Sequence, residues 1–298
     1  MYIVLKPIQG YVLYFLNKMT HYQLEKTSFY KQLSYPLDLK NPQSYNQKIV
    51  WKKIHDRNPL LPITTDKYQV RSYLKEVLGE KNAKEILIPL LYVTDLPETI
   101  PFEKLPSSFI VKPSHASGFY IIVENGNFNQ TEIISICRRW LKTSYGIDKL
   151  EWAYRFIKRK IIIEELLYED DGKIPKDFKL HMFHGKCNLI HIVYDRFGSH
   201  EKTFFKPDWT MLDVTHNNDR KSAYIHPPEN LSKMIRIAEM LSKPFDYVRV
   251  DLYNLNGKIY FGELTHYPNS ARGLFTPQSF DFELGKYWKI KSEYWKNK

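Results

Sequence analysis

The 298-residue sequence is poor in cysteine, with Cys137 and Cys187 alone and no CxxC pair. Two isolated cysteines exclude a disulfide framework and are typical of proteins from a reducing compartment. We therefore expect a cytoplasmic protein, with a position at the inner face of the membrane as one option.

Long hydrophobic runs are also missing from the chain. The apolar stretch Tyr11–Leu16 (YVLYFL) is far shorter than the ~20 residues that span a bilayer, and no cleavage site follows it. Neither a signal peptide nor a membrane span is therefore expected. The stretch is predicted to be a helix that packs on the core or, with Lys6, Lys18 and Lys26 nearby, one that associates peripherally with a membrane.

Familiar catalytic and nucleic-acid-binding patterns are absent as well. The sequence has no Walker or dinucleotide-binding loop, no zinc-finger or RRM signature, and no Ser-His-Asp or Cys-His arrangement. Its ten histidines show no ligand spacing, because His181 and His184 fall on opposite faces of one predicted strand. A nucleic-acid partner and a zinc site are therefore not expected.

Positive charge is what the sequence has in excess, with 44 Lys and Arg against 33 Asp and Glu, a net charge of +11. This excess favours anionic partners such as nucleotide phosphates, acidic glycans or anionic lipids. Aromatic residues make up 15% of the chain, which suits stacking on sugars or bases and equally suits a thick core. The 43% of hydrophobic residues are typical of an ordinary globular protein.

Two alternating apolar runs between Phe245 and Pro268 predict a β-hairpin. Each run contains one acid, Asp251 in the first and Glu263 in the second. Because burying an unpaired charge is costly, both carboxylates are expected to have partners. Arg249 lies two residues before Asp251 and therefore on the same strand face.

The length of the hairpin loop decides whether these two acids meet. A two-residue loop at Asn256-Gly257 sends Glu263 to the face opposite Asp251, whereas a three-residue loop that also includes Leu255 puts both acids on one face. We predict the three-residue loop, because it lets both carboxylates hold one hard cation, magnesium, near a phosphate. The alternative is a simple ion pair between Asp251 and the neighbouring arginine.

A second informative segment, Ser107–Glu124, reads as two strands around a loop of small residues. The loop consists of Ser114, His115, Ala116, Ser117 and Gly118. Its backbone N–H groups and small side chains could approach phosphates closely. Lys112 ends the first strand, where it either points toward a ligand or is a plain lysine at a strand end.

Charged residues interrupt two later apolar strands as well. Glu164 and Glu165 are adjacent in Lys160–Leu167, so one of them must point inward. Lys179 has apolar neighbours in Asp177–His184, where it would need a phosphate or a carboxylate partner.

One predicted helix, capped by Thr65 or Asp66 and ended by Gly79, carries basic residues along one side. These residues are Lys67, Arg71 and Lys75. The row is either a solvated edge or, if it faces a cleft, a basic wall over an anion site.

The order of these parts resembles the ATP-grasp superfamily of carboxylate-amine ligases, and most closely its TupA-like branch, which is associated with teichuronopeptide and capsular polysaccharide synthesis. The likeness runs from about residue 41 to residue 285. The segments that carry it are NPQSYNQKIVWKKIHDRNP from Asn41, TDKYQVRSYLKEVLG from Thr65, FIVKPSHASG from Phe109, DFKLHMFHG from Asp177, RVDLY from Arg249 and FGELTHYP from Phe261.

The resemblance implies an α+β protein with the ATP-grasp fold, in which two α+β subdomains grip ATP. An N-terminal helical and α/β region would span residues 1–106. The lid subdomain would follow in residues 107–167, and the C-terminal subdomain with the metal-binding hairpin would occupy residues 168–298.

The resemblance also implies roles for individual residues. Lys112 would contact the α-phosphate side, and the loop of Ser114, His115, Ala116, Ser117 and Gly118 would fold over the β- and γ-phosphates. The strand at Glu164 and Glu165 would line adenine. Lys179, Arg249 and Arg272 would act as catalytic residues at the reacting phosphate and carboxylate, and Asp251 and Glu263 would hold Mg²⁺.

One departure from the family pattern concerns the metal. Many ATP-grasp enzymes have Glu-x-Asn, with the Asn as a further metal ligand, whereas this chain has Thr265 two residues after Glu263. That ligand is therefore missing or replaced by Asn269, which leaves the number of metal ions open.

The chemistry implied by the resemblance is activation of a carboxylate as an acyl phosphate, with ATP and Mg²⁺, followed by attack of an amine to form an amide. The excess positive charge, together with Arg196 and Arg272 near the expected cleft, favours an anionic carboxylate substrate such as a uronic-acid glycan or its precursor. Two alternatives stay open: a glycosyltransferase-like enzyme of polysaccharide synthesis, and a non-catalytic nucleotide-binding scaffold.

Overall fold

A computed structural model describes residues 7–169, 172–194, 201–217, 219 and 224–290, without the side chains of residues 7 and 8. Across these segments, no helix has the length and apolar character that crossing a membrane requires. The described chain combines helices with antiparallel sheets, which confirms the expected α+β class.

The helices and strands alternate irregularly along the chain. The described helices are α1 (Pro7–Met19), α2 (Gln23–Leu33), α3 (Tyr45–His55), α4 (Leu60–Thr65), α5 (Val70–Leu78), α6 (Glu80–Ile86), α7 (Gln130–Lys142), α8 (Leu231–Ser242) and α9 (Ser279–Lys286). The strands are β1 (Leu90–Thr94), β2 (Phe109–Pro113), β3 (Ile121–Val123), β4 (Ile161–Glu165), β5 (Asp177–Phe183), β6 (Lys186–Val193), β7 (Lys202–Phe205), β8 (Met211–Leu212), β9 (Thr215–His216), β10 (Tyr247–Leu255), β11 (Lys258–Thr265) and β12 (Phe275–Thr276).

The larger sheet has the strand order β11-β10-β5-β6-β7-β8. Its β10 is paired on both sides, with β11 and with β5, and the residues Tyr247 to Leu252 are all buried. The acid-bearing strand of the predicted hairpin therefore lies inside the sheet, where its charged side chains need partners.

The smaller sheet has the order β1-β4-β2-β3, and β2 and β3 form the hairpin expected around the small-residue loop. Pro89 precedes β1, which lies at the sheet edge with a register shift between Leu90 and Tyr92, as a proline at that position predicts. Because β1 pairs with β4, this sheet also includes chain that comes before residue 107. The proposed boundaries at residues 107 and 168 stay predictions.

Helix α3 begins with a cap at Ser44. The Ser44 hydroxyl accepts the Gln47 N–H, and the Gln47 side chain accepts the Ser44 N–H, a complete capping box. About two turns later Lys52 is fully buried, and its ammonium lies 2.7 Å from Asp246 Oδ1 and 2.5 Å from Asp56 Oδ2. This buried ion cluster fixes α3 against the start of the acid-bearing hairpin.

Helix α9 packs against the N-terminal end of α3. Asp281 accepts hydrogen bonds from the Tyr35 hydroxyl and from the backbone N–H of Asn46. At the point of closest approach the residue is Gly285, where an added Cβ would overlap the carbonyl oxygen of Gln43. The chain therefore needs a residue without a side chain there.

We predict that Gly285→Ala lowers the free energy of unfolding by about 3 kcal/mol, because the methyl group must push α9 away from the α3 cap. The matched control is Glu283→Ala, at an exposed position of the same helix, which should change stability by less than about 0.5 kcal/mol. Urea denaturation of both variants measures the difference. Equal stability of the two variants would contradict the close packing.

Candidate active site

The β10–β11 hairpin closes with a two-residue turn. Leu255 pairs with Lys258, and Asn256 and Gly257 have φ angles of 46° and 79°. Two consecutive left-handed residues define the type I′ turn that Asn-Gly favours. The predicted three-residue loop is therefore wrong, because the Asn-Gly turn already matches the twist of the two strands.

The two acids nevertheless share one face, because a bulge at Gly262 restores the register. Leu252 pairs with Phe261, whereas Asp251 pairs directly with Glu263, so Gly262 is an extra residue on β11. A Cβ at Gly262 would lie 3.1 Å from the backbone oxygen of Asp251. The close backbone approach explains why glycine suits the bulge.

Arg249 connects both carboxylates from the same face of β10. Its Nε lies 2.6 Å from Asp251 Oδ1, and its Nη2 lies 2.7 Å from Asp251 Oδ2 and 3.6 Å from Glu263 Oε1. The same Nη2 donates to the Thr265 hydroxyl, which in turn donates to Glu263. Thr265, which occupies the position of the Asn in Glu-x-Asn, therefore orients the Glu263 carboxylate.

Lys179 approaches Asp251 from the neighbouring strand β5. Its ammonium lies 2.7 Å from Asp251 Oδ2 and also forms an ion pair with Asp177. The expectation that a lysine among apolar neighbours needs a carboxylate is confirmed, since this lysine has two. Asp251 therefore lies between two cations in a nearly solvent-free position.

The ionisation of the acid pair follows from these neighbours. Burial alone would raise the pKa of Asp251, but the charges of Arg249 and Lys179 lower it below its usual value. Burial and Asp251 raise the pKa of Glu263, whereas Lys67 and Arg249 lower it, with a net decrease. Both groups are therefore carboxylates at neutral pH.

A cleft opens beside this pair, between the two sheets. Asp251 and Glu263 line one wall, and Lys112 lines the other. The Lys112 ammonium lies 3.1 Å from Glu164 Oε2, and Arg71 lies 3.2 Å from Glu164 Oε1. Glu164 is thus the inward-pointing acid of its strand, and it holds two cations at the cleft wall.

Glu165 and the residues after it form the end of the cleft. Glu165 is exposed, and its backbone N–H donates to Pro89 O over 3.1 Å. The backbone beyond β4, at Leu166 and Leu167, lines the cleft among apolar side chains. The sequence did not identify these two leucines as site residues, because they continue the apolar pattern of the strand before them.

The small-residue loop divides into a buried base and an accessible tip. Ser114, His115 and Ala116 are buried, and burial together with the Arg159 charge lowers the pKa of His115 to about 4. Ser117 and Gly118 line the cleft. These last two residues are therefore the part of the loop that can reach a ligand.

The helix that carries the basic row begins at Val70, so the expected cap at Thr65 or Asp66 is wrong, since Thr65 ends α4. Lys67 therefore lies in the turn before α5, and only part of the basic row faces the cleft. Lys67 lines the cleft, with its ammonium 2.5 Å from Ala116 O and 4.0 Å from Glu263 Oε2. Arg71 lines it as well, whereas Lys75 is exposed and pairs with Glu80. Lys67 therefore ties the loop to the acid pair, a role that its spacing alone did not predict.

A second chamber, of about 540 Å³, adjoins the cleft at Ser117 and Glu263, which line both. Arg249, Asn269 and Arg272 line this second chamber together with the aromatic rings of Tyr145, Tyr154 and Tyr267. Arg196, expected nearby, lies outside the described residues. The predicted catalytic residues Arg249 and Arg272 thus face one chamber.

Arg272 is held in the chamber wall by the N-terminal helices. Its Nη2 lies 2.8 Å from Glu25 Oε2, and Lys53 lies 3.0 Å from Glu25 Oε1. Glu151, a further acid of this chamber, is buried, and burial raises its pKa. Sequence reasoning missed Glu25 and Glu151, because their partners are distant in the chain.

The fit of a metal to this site depends on its oxygen donors. Asp251 and Glu263 supply ionised carboxylates, and Asn269 lines the same chamber as Glu263 with an amide that lies 3.3 Å from His216 Nε2. Hard cations such as Mg²⁺ prefer this kind of donor set and keep several waters. Within the segments that the structure describes, no three His, Cys, Asp or Glu residues cluster as a metal site.

Residues 47–289 match the profile of the TupA-like ATP-grasp family. The chain belongs to this family. The match spans nearly the whole region in which the motifs show the resemblance, and it confirms both the predicted family and the ATP-grasp fold. ATP-grasp ligases use ATP with Mg²⁺, the cofactors that the resemblance implies. No curated protein matches the sequence.

Solved structures with similarity to this TupA-like ATP-grasp protein include three ligases. The D-alanine–D-alanine ligase of Bacillus anthracis is 18% identical, with a TM-score of 0.40 over 68% of this chain and 57% of that one. The Helicobacter pylori D-alanine–D-alanine ligase is 16% identical, with a TM-score of 0.45 over 83% and 70%. The Bacillus licheniformis L-amino acid ligase is 14% identical, with a TM-score of 0.40 over 70% and 41%. The chain therefore spans little more than half of the first of these enzymes.

The two acids should differ in what they contribute to stability. Asp251→Asn removes the buried carboxylate that Arg249 and Lys179 share, so we expect a loss of about 3 kcal/mol in the free energy of unfolding at pH 7. Glu263→Gln, at a partly exposed side chain, should lose less than about 1 kcal/mol. Urea denaturation at several pH values measures both.

The pH dependence follows from the lowered pKa of Asp251. Because the folded-state pKa lies below the unfolded value of about 3.9, the stabilisation is complete above that value and disappears as the pH falls through the folded-state pKa. The difference between the parent protein and Asp251→Asn should therefore shrink below about pH 4. A constant difference at all pH values would contradict the ion cluster.

Proposed function

We propose that this protein is an ATP- and Mg²⁺-dependent carboxylate-amine ligase that forms an amide through an acyl phosphate. The observation that carries the proposal is the position of the acid pair. Glu263 and Ser117 lie where the cleft meets the second chamber, next to Arg249 and Asp251. A phosphoryl group at this junction would be within reach of substrates on either side.

In this proposal the cleft holds the nucleotide. The backbone at Leu166 and Leu167 would face the adenine edge, with Glu164 and Glu165 on the strand before it. Ser117 and Gly118 at the loop tip would lie over the β- and γ-phosphates. Ser114, His115 and Ala116 support the loop from its buried base, and Lys67 holds it through the Ala116 carbonyl.

Lys112 and Lys179 would contact phosphate oxygens. Both lysines now pair with carboxylates, Glu164 and Asp251. Lys112 lines the cleft, where Glu164 holds its ammonium group at the wall that a phosphate would face. Asp251, Glu263 and Asn269 would hold Mg²⁺, which supplies positive charge to the transferring phosphoryl group.

The proposed reaction has two steps. A carboxylate oxygen of the first substrate attacks the γ-phosphorus, and the bond to the ADP oxygen breaks. The amine nitrogen of the second substrate then attacks the acyl carbon, phosphate leaves, and the nitrogen loses a proton. Arg249 and Arg272 would place the carboxylate, and Glu151, with its raised pKa, could accept the proton.

We further propose that the substrates include a cell-surface or capsular polysaccharide, or its precursor, and an amino acid or amine. The second chamber supports this proposal through its size and its tyrosine rings, on which sugars stack. Arg196 and Arg272 are the arginines expected near the acceptor, and Arg272 lines this chamber. Lys67 and Arg71 instead line the nucleotide cleft, so they support the nucleotide site rather than the acceptor.

Replacing Lys112 with Met should weaken ATP binding by about ten- to a hundredfold, since a charge-assisted contact contributes about 1.5 to 3 kcal/mol. The matched control is Lys75→Met on the exposed side of α5, which should leave ATP affinity unchanged. Isothermal titration with ATP and Mg²⁺ measures both. Equal affinities would remove Lys112 from the phosphate site.

Incubation with ATP, Mg²⁺, acidic glycan fragments and an amino-acid mixture should release ADP and add an amide mass to a glycan. In Glu263→Gln this turnover should fall by at least about a hundredfold while the fold is kept, because a metal ligand is lost. ADP release with amino acids alone would reject the glycan but keep the ligase. Thermal stabilisation by UDP-sugars instead of ATP would favour the glycosyltransferase, and ATP binding without turnover would favour the scaffold.

A further inference from the structure

Helix α1 turns a row of large apolar side chains to the solvent. The exposed residues of this face are Tyr11, Val12, Phe15, Leu16 and Met19, with Phe15 57% and Met19 77% exposed. The spacing of four residues places them along one side of the helix. Single exposed apolar residues are common on protein surfaces, whereas a contiguous apolar face is typical of an interaction surface.

The opposite side of α1 is anchored to the protein. Asn17 is buried and accepts a hydrogen bond from the Glu25 backbone N–H over 2.9 Å. The guanidinium of Arg155 lies 4.5 Å from the Tyr14 ring centroid. A Cβ at Gly10 would lie 3.9 Å from the backbone nitrogen of Asp148. The apolar face is therefore presented by a helix with a fixed position.

The charged residues of α1 and α2 are basic apart from one buried acid. Glu25 is the one acidic residue between positions 7 and 33, and it is buried against Lys53 and Arg272. Lys18 and Arg155 flank the Tyr14 ring at the edge of the face. Arg155 also lies 5.9 Å from the ring of Phe156, which is exposed. An apolar surface with a basic rim is complementary to a bilayer with anionic headgroups.

The same helices border the second chamber. Asp148, next to Gly10 of α1, lines that chamber, and so do Glu25 and Ser28 of α2. A surface that holds α1 would therefore lie close to the chamber in which the acceptor is proposed to bind. Residues 7–33 also precede the region that matches the family, so this surface is a property of the present chain rather than of the family match.

We propose that the outer face of α1 docks on an anionic membrane surface and holds the second chamber near the lipid headgroups. The aliphatic and aromatic side chains of the face enter the headgroup region, and Lys18 and Arg155 contact anionic lipids. The docking is independent of the ligase activity, and it favours an acceptor that is carried on a lipid at that surface.

Flotation of the full chain with phosphatidylcholine vesicles, with and without phosphatidylglycerol, tests the proposal. The protein should float with the anionic vesicles, and high salt should weaken the binding. The double variant Phe15→Ser with Leu16→Ser should bind at least about tenfold more weakly, because two apolar side chains no longer leave water. Lys18→Gln should bind about fivefold more weakly.

The matched control is Tyr224→Ser, which removes an exposed aromatic side chain beside Phe205 of the larger sheet. This variant should float like the parent protein, and all variants should keep their stabilisation by ATP. Absence of flotation, or equal flotation of the double variant and the parent, overturns the proposal. Light scattering tests the alternative partner. If the parent protein does not float but forms a dimer, and only the double variant loses that dimer, the face binds a second copy of the chain.

Discussion

The structure depends on one buried charge arrangement, in which Asp251 lies between Arg249 on its own strand and Lys179 on the next one. None of the three side chains could be buried alone at acceptable cost, whereas together with Asp177, which also pairs with Lys179, they form a charge-balanced cluster inside the sheet. The cluster locks the register of β5 against β10 and keeps Asp251 ionised.

Similar ion pairs between different elements occur further from this cluster. Glu164 holds Lys112 and Arg71 at the opposite wall of the cleft, and Glu25 holds Arg272 in the second chamber. In each case an acid on one element positions a cation from another, so the cations face the cavities with fixed geometry. Preorganised charges of this kind stabilise developing negative charge more effectively than mobile surface lysines, because no reorganisation is needed during the reaction.

The N-terminal helices connect these features to the surface. Glu25 of α2 reaches the chamber wall, while Asn17 of α1 caps the same residue's backbone from the other side. Glu25 therefore links α1, which carries the apolar face, to Arg272 in the chamber wall. The proposed membrane docking and the proposed acceptor chamber are therefore neighbours in the fold, although the segments that build them are far apart in sequence.

The sequence by itself determined the class of the fold, the family, and the segments that carry charged residues into strands, because these depend on local periodicity and on motif order. Local sequence also explains the cap at Ser44, with Gln47 three residues later, and the edge strand after Pro89. Only the tertiary structure decided how the two acids meet: the Asn256-Gly257 turn alone would separate them, and the bulge at Gly262 brings them together. Such a bulge, like the pairing of Glu25 with Arg272, depends on contacts between separate chain segments. The alternation of apolar and polar residues within one strand does not predict these contacts.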